Sequence, residues 1–234
     1  MSELEAIIFD QYSRYRACAE MIAAIGAESG SELLDIGSGP ECLLGHFLPA
    51  SAITYVDPLL ADVKGRNKTH IGADVFSPNL DNRRFDYVAS VDTLEHVPAS
   101  KRAAFIERLS SLARSGLVIG FPCADRGDAV MTDHVINEHY RQLFGRDYPW
   151  LEEHIRYSLP RLADVLDQLR SCGWHCKVIG HGHAPWLREL LGFVTCAWDV
   201  PEAQDIVLEI SRRFNCESAS SFSARAERLR SAVN

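Results

Sequence analysis

One turn constrains this chain more than any other stretch of it. Leu33-Leu34-Asp35-Ile36 is a short apolar run broken by a single acid, and Gly37-Ser38-Gly39-Pro40 follows directly. A buried strand that runs into two glycines and a proline reads as the first strand-to-helix turn of an open α/β sheet. Glycines there let the backbone approach a ligand closely, and the free N–H groups of a helix start favour a polar or anionic group. The rhythm repeats downstream. Residues 52–57, 71–76, 85–91 and 117–121 read as further strands, the second closed by Pro58 and the last by Pro122. Residues 40–48 and 99–113 read as helices between them, and residues 59–64 as a helical turn. This alternation predicts an α/β, doubly wound and mostly parallel sheet.

The ends of the chain read differently. Residues 3–27 form an amphipathic helical start, and residues 123–158 are polar, rich in histidine and aromatics, without a strand signal. A helix over 160–171, a strand over 174–180 and helices over 186–198, 202–214 and 221–233 follow. The expected organisation is an N-terminal helix or lid at 1–30, a core at 31–183 with an insertion at 123–160, and a helical C-terminal extension at 184–234. Hydrophobic residues at 47% supply enough apolar surface for one packed core. The 24 basic residues against 32 acidic ones leave a net charge of −8, which disfavours a sequence-independent grip on nucleic acid. Residues 190–198, the longest apolar stretch, fall far short of the ~18–20 residues that cross a bilayer. No basic segment leads into an apolar core near the start, so no signal peptide is expected. Seven scattered cysteines suggest reduced thiols and a cytoplasmic setting.

Three acids close three successive strands: Asp35, Asp57 and Asp74. Ligands of open α/β sheets bind at that edge. A dinucleotide site asks for a third glycine where Cys42 stands, and it has little use for a carboxylate beside the first glycine. Asp35 instead suits a ligand with a cationic amine or sulfonium. Asp57 is placed to accept from two ribose hydroxyls, and Asp74 from an adenine amino group. Asp35-Ile36-Gly37-Ser38-Gly39, Asp57, Asp74 and residues 85–98 together resemble the class I S-adenosylmethionine-dependent methyltransferases, of the type 11/23-like bacterial kind. That resemblance implies S-adenosylmethionine as cofactor, held by Asp35, Gly37, Ser38, Gly39, Asp57, Pro58, Asp74, Val75, Ser90 and Val91. Glu41 stands where many members carry another glycine. Residues 137–160 are similar to a subgroup associated with glycan or cell-surface gene clusters.

Methyl transfer from a sulfonium chiefly requires alignment and a dry site, and a hydroxyl acceptor also needs a base or a metal. His134, His139 and His154 in the insertion and His96 after the fourth strand are the expected catalytic residues, with His154 preferred. Asp92, Glu95 and His96 resemble, with Asp for the first Glu, a Glu-x-x-Glu-His metal motif of some O-methyltransferases. The turn Leu94-Glu95-His96-Val97 is also widespread in this fold without metal, with Glu95 and His96 capping or lining a helix start, so no metal is expected. Cys172, His175, Cys176, His181 and His183 are too dispersed for zinc. Tyr12, Tyr15 and Arg16 are read as helix packing, with closure over the cofactor's carboxylate as the alternative. The expected reaction is methylation of a small molecule or glycan, O-methylation ahead of N-methylation. The rivals are a non-catalytic cofactor-binding partner of a glycan enzyme and a nicotinamide-dependent oxidoreductase.

Overall fold

The computed structural model describes residues 4, 7–49, 51–61, 63–64, 68–125, 127–181, 184–219 and 231. Its centre is a sheet of β1 (Glu32–Ile36), β2 (Ala52–Val56), β3 (Val63–Lys64), β4 (Lys68–Ile71), β5 (Phe85–Val91) and β6 (Ala113–Gly120). The strand order is β3-β4-β2-β1-β5-β6. Five strands run parallel, and the two-residue β3 pairs antiparallel at one edge. The order reverses at β1, which sits between β2 and β5, so the crevice for a ligand opens above its C-terminal end.

Alternation along the strands feeds two cores. Leu33, Ile53, Tyr55, Tyr87, Ala89, Val91 and Val118 face the side covered by α1 (Phe9–Ala24), with its Tyr12, Tyr15, Ala19 and Ile22, and by α2 (Leu44–Phe47). Leu34, Ile36, Val56 and Val88 face the other side. There α3 (Arg102–Leu112) lays down Phe105, Ile106, Leu109 and Leu112, an i, i+1, i+4, i+7 stripe typical of a core-facing helix. α6 (Leu162–Ser171) adds Val165 to that side.

The segment after β6 is not a loop. It folds as α4 (Gly127–Phe144) and α5 (Pro149–Tyr157), joined by a short turn. Asn137 holds that turn, its Oδ1 accepting from Tyr148 N at 2.8 Å and its Nδ2 donating to Asp147 at 2.8 Å. α7 (Ala184–Trp198) and α8 (Pro201–Ala219) complete the described chain. Their Val194, Ala197 and Val207 pack on Phe9, and Asn215 Nδ2 donates to the carbonyls of Leu4 and Ile7.

Two strand expectations need correction. The third strand ends at Ile71 rather than starting there. Its residues Lys68-Thr69-His70 carry no apolar run because only the short β3 lies beyond them. After Gly72 the chain turns, with the Asp74 carboxylate accepting from Phe76 N at 2.8 Å. Residues 174–180 form no strand among the described residues. Trp174 N closes the end of α6 on Leu169 O, and Val178 and Ile179 stay exposed, so the sheet stops at β6. The helix expected over 221–233 lies outside the described residues except for Ser231.

Candidate active site

The cofactor half of the site is built by the turn after β1. Gly37 and Gly39 both have φ in the left-handed region, at 72° and 63°. A Cβ on Gly37 would stand 2.2 Å from Thr93 Oγ1, so the turn also has no room for a larger residue. Gly39 N donates to Asp57 Oδ2 at 3.0 Å, and Leu59 N to Asp57 Oδ1 at 2.8 Å. Asp57 thereby ties the first turn to the end of β2, and a carboxylate with about four acceptor sites keeps some free for hydroxyls. Ser38 is buried, its hydroxyl turned to Gly39 O.

Asp35 is the anomaly of this half. It lies in β1 beside Tyr55 and Ala89, fully buried, and neither carboxylate oxygen has a hydrogen-bond partner. Burial, with the nearby Asp57 charge adding to it, pushes its carboxyl up to about 7. A buried carboxylate without donors costs free energy unless a ligand supplies them. Ser90, also buried at the end of β5, has an unpartnered hydroxyl. Val75 and Val91 are buried, whereas Pro58 and Asp74 are exposed.

The second half lies just past β5. Asp92 adopts φ 51° and is held by Arg14 Nε at 2.7 Å. A single 3-10 turn, Leu94–His96, then presents Glu95 and His96. His154 of α5 comes to face them. Its Nε2 lies 3.3 Å from His96 Nε2, and its Nδ1 lies 3.0 Å from the Asp133 carboxylate of α4. His96 Nδ1 lies 2.8 Å from Glu153. Glu95 is 1% exposed with Oε2 unpartnered, and one oxygen of it lies within 4.8 Å of a ring nitrogen of each histidine. Burial holds Glu95 well above the ordinary carboxylate range, with Asp92 adding to it, and burial together with His154 lowers His96.

Arg102 fixes this arrangement. Its guanidinium donates to the carbonyls of Leu94, Glu95 and Val97 in the turn and to those of Tyr157 and Ser158 at the end of α5. One planar fork thus joins the segment that carries His96 to the helix that carries His154.

The expected residues therefore divide. Asp35, Gly37, Ser38, Gly39, Asp57, Ser90 and Val91 gather around the ends of the central strands. His96 and His154 meet. His134 and His139 do not join them; both are exposed on α4, and His139 lines a groove of about 350 Å³ against Phe193 and Cys196 of α7. That groove shares no lining residue with the strand-end cluster. Of the triplet Asp92, Glu95 and His96, Asp92 is paired with Arg14, while Glu95 and His96 gather with His154. Arg16 is buried, paired with Glu20 at 3.0 Å. Asp133, Glu153, Arg14 and Arg102 carry no motif; only their places in space give them a role.

A family model described as a methyltransferase domain matches residues 9–189. No curated protein matches the chain in sequence. Among solved structures, the mycolic acid cyclopropane synthase CmaA1, complexed with SAH and CTAB, is similar at TM-score 0.56 and 14% identity, over 91% of this chain and 80% of that one. An O-methyltransferase family protein from Burkholderia thailandensis is similar at TM-score 0.51 and 12% identity, over 74% of this chain and 57% of that one. The magnesium protoporphyrin IX methyltransferase of Synechocystis PCC 6803, with bound SAH, is similar at TM-score 0.50 and 20% identity, over 71% and 74%. At such identities these likenesses carry the fold.

Proposed function

The chain belongs to the methyltransferase-domain family, and on that premise we propose that it transfers the methyl group of S-adenosylmethionine to a hydroxyl of a small molecule or glycan. The observation that carries this reading is Asp35: a buried, donorless carboxylate beside a glycine turn, at the edge where the sheet order reverses. A ligand with an ammonium and a neighbouring sulfonium satisfies it, whereas a pyrophosphate is repelled by it. Asp57 would hold the ribose hydroxyls and Asp74 with Val75 the adenine, while Gly37 and Gly39 leave room for the ligand against the backbone. When bound, the cofactor supplies an electrophilic methyl group whose thioether leaves without protonation.

The remaining work falls to the second cluster. The acceptor hydroxyl must lose its proton as its oxygen attacks, and Glu95, His96 and His154 offer a buried oxygen and two imidazole nitrogens for that task. Asp133 and Glu153 orient the two rings through Nδ1. An oxygen acceptor is favoured over an amine because an amine can attack with its own lone pair and needs less help. The cluster, with a buried Glu95 and two part-buried, oriented rings, favours a catalyst over a non-catalytic binding partner. Cys18, Cys123, Cys172, Cys176 and Cys196 are in no disulfide, which suits the cytoplasm.

The test is transfer of labelled methyl groups to a panel of sugars and phenols, comparing wild type with His154→Ala. Transfer in the variant should fall by ~10²–10⁴-fold with cofactor affinity retained. Equal rates would remove His154 from the chemistry.

A further inference from the structure

We propose that Glu95, His96 Nε2 and His154 Nε2 form a binding site for a divalent transition-metal ion of the zinc class, whose open positions receive the acceptor hydroxyl. The inference deepens the methyl-transfer reading. It revises the expectation, drawn from the sequence, that Glu95 and His96 merely cap a helix start.

Three observations carry it. The first is the facing pair of rings. Asp133 and Glu153, when ionised, only accept hydrogen bonds, so each ring donates from Nδ1 and turns an Nε2 lone pair inward. Two lone pairs 3.3 Å apart repel unless a proton or a cation lies between them. Zinc–nitrogen bonds of about 2.0–2.1 Å at tetrahedral angles set an N···N edge of ~3.3 Å. The second is Glu95, a buried carboxylate with an unpartnered Oε2, an oxygen of which lies within 4.8 Å of both ring donors. Two imidazoles and one carboxylate are a ligand set for catalytic zinc, with positions left for water or substrate. Magnesium prefers oxygen donors alone. The third is the outer shell. Metal-bound imidazoles commonly donate their other nitrogen to a carboxylate, and both rings here do so. A dication also balances a region where Glu95, Asp133 and Glu153 crowd together while Arg14 is engaged by Asp92 and Asp10.

A hydroxyl on such an ion loses its proton near neutral pH, because the cation stabilises the alkoxide. The proton leaves to water. The oxygen that attacks the methyl carbon is then already anionic, and the carbon–sulfur electron pair departs with the sulfur.

The experiment is competitive titration of Zn²⁺ against a chromogenic chelator, using the full chain, stripped of metal, kept reduced and without cofactor. One site per chain is expected. Its affinity should fall more than ~100-fold in His154→Ala and in Glu95→Gln, and ~10–100-fold in Asp133→Asn, the range for an outer partner. The double variant Cys172→Ser/Cys176→Ser should bind as wild type does. Asp133→Asn keeps both imidazoles and serves as the reading should His154→Ala fail to fold. Absence of a one-to-one site, loss of binding with Cys172 and Cys176, or unchanged affinity in Asp133→Asn would each overturn the proposal. Cofactor titration reads the methyl-transfer assignment separately, so failure of one leaves the other visible.

Discussion

Asp35 is a buried carboxylate without a hydrogen-bond donor, and in the proposed reading a cationic ligand satisfies it. Its carboxyl titrates at about 7 in the folded chain, against about 3.9 in an unfolded one. The folded state therefore holds this proton more tightly. Below pH ~4 the acid is protonated in both states and costs nothing as a charge. As pH rises towards 7, the unfolded chain gains stability by ionising and the folded one does not, a penalty of about 1.4 kcal/mol per unit that totals about 4 kcal/mol above pH 7. Asp35→Asn removes the titration. Chemical denaturation of the ligand-free proteins should thus find the variant gaining on wild type by about 2–3 kcal/mol between pH 5 and pH 8. A stability difference that does not change with pH would mean that Asp35 is already satisfied. The place of Asp35 at a strand end before a glycine turn was legible in the sequence. Which histidine meets His96 was legible only in part. The polar segment favours His154 over His134 and His139 only through the adjacent Trp150 and Leu151; what separates it in space is its place on α5 opposite the Leu94–His96 turn, a tertiary fact.

At the level of elements, local pattern worked where burial was strong. β1, β2 and β5 were legible as apolar runs because they lie inside the sheet, and α3 because one stripe of it meets the core. β4 was misplaced because Lys68-Thr69-His70 carry no apolar run where only the two-residue β3 lies beyond them, and residues 174–180 were misread because Val178 and Ile179 are exposed. α4 and α5 were missed as helices: a weakly amphipathic pattern hid α4, and α5 is only nine residues long. These two helices do the positioning, and Arg102 is the joint. Removing its side chain takes this donor from five carbonyls, four of them in part-buried contacts. Arg102→Ala should therefore destabilise by about 2–4 kcal/mol, given about 1–3 kcal/mol for a buried group left unsatisfied. It should also slow methyl transfer while leaving cofactor affinity within a few-fold, since Asp35 and Asp57 belong to the sheet. Lysine should rescue little, because a point charge cannot span both segments as a planar fork does. Wild-type kinetics in Arg102→Lys, read beside a thermal melt, would show that the joint is not needed.

Across the whole molecule the parallel sheet separates two tasks along one edge. In the proposed reading the end of β1 and the end of β2 present carboxylates to a cationic, hydroxylated ligand, and the turn after β5 meets α5 to form a second, imidazole-bearing cluster. The central claim is that the first of these sites takes S-adenosylmethionine. Calorimetric titration of wild type and Asp57→Ala with S-adenosylmethionine, its demethylated product and NAD tests it most directly. The expected result is saturable binding of the first two, none of NAD, and a loss of roughly 1.5–3 kcal/mol in Asp57→Ala, the range for hydrogen bonds to a charged group. Binding of NAD in place of S-adenosylmethionine, or unchanged affinity in a folded Asp57→Ala, would contradict the account.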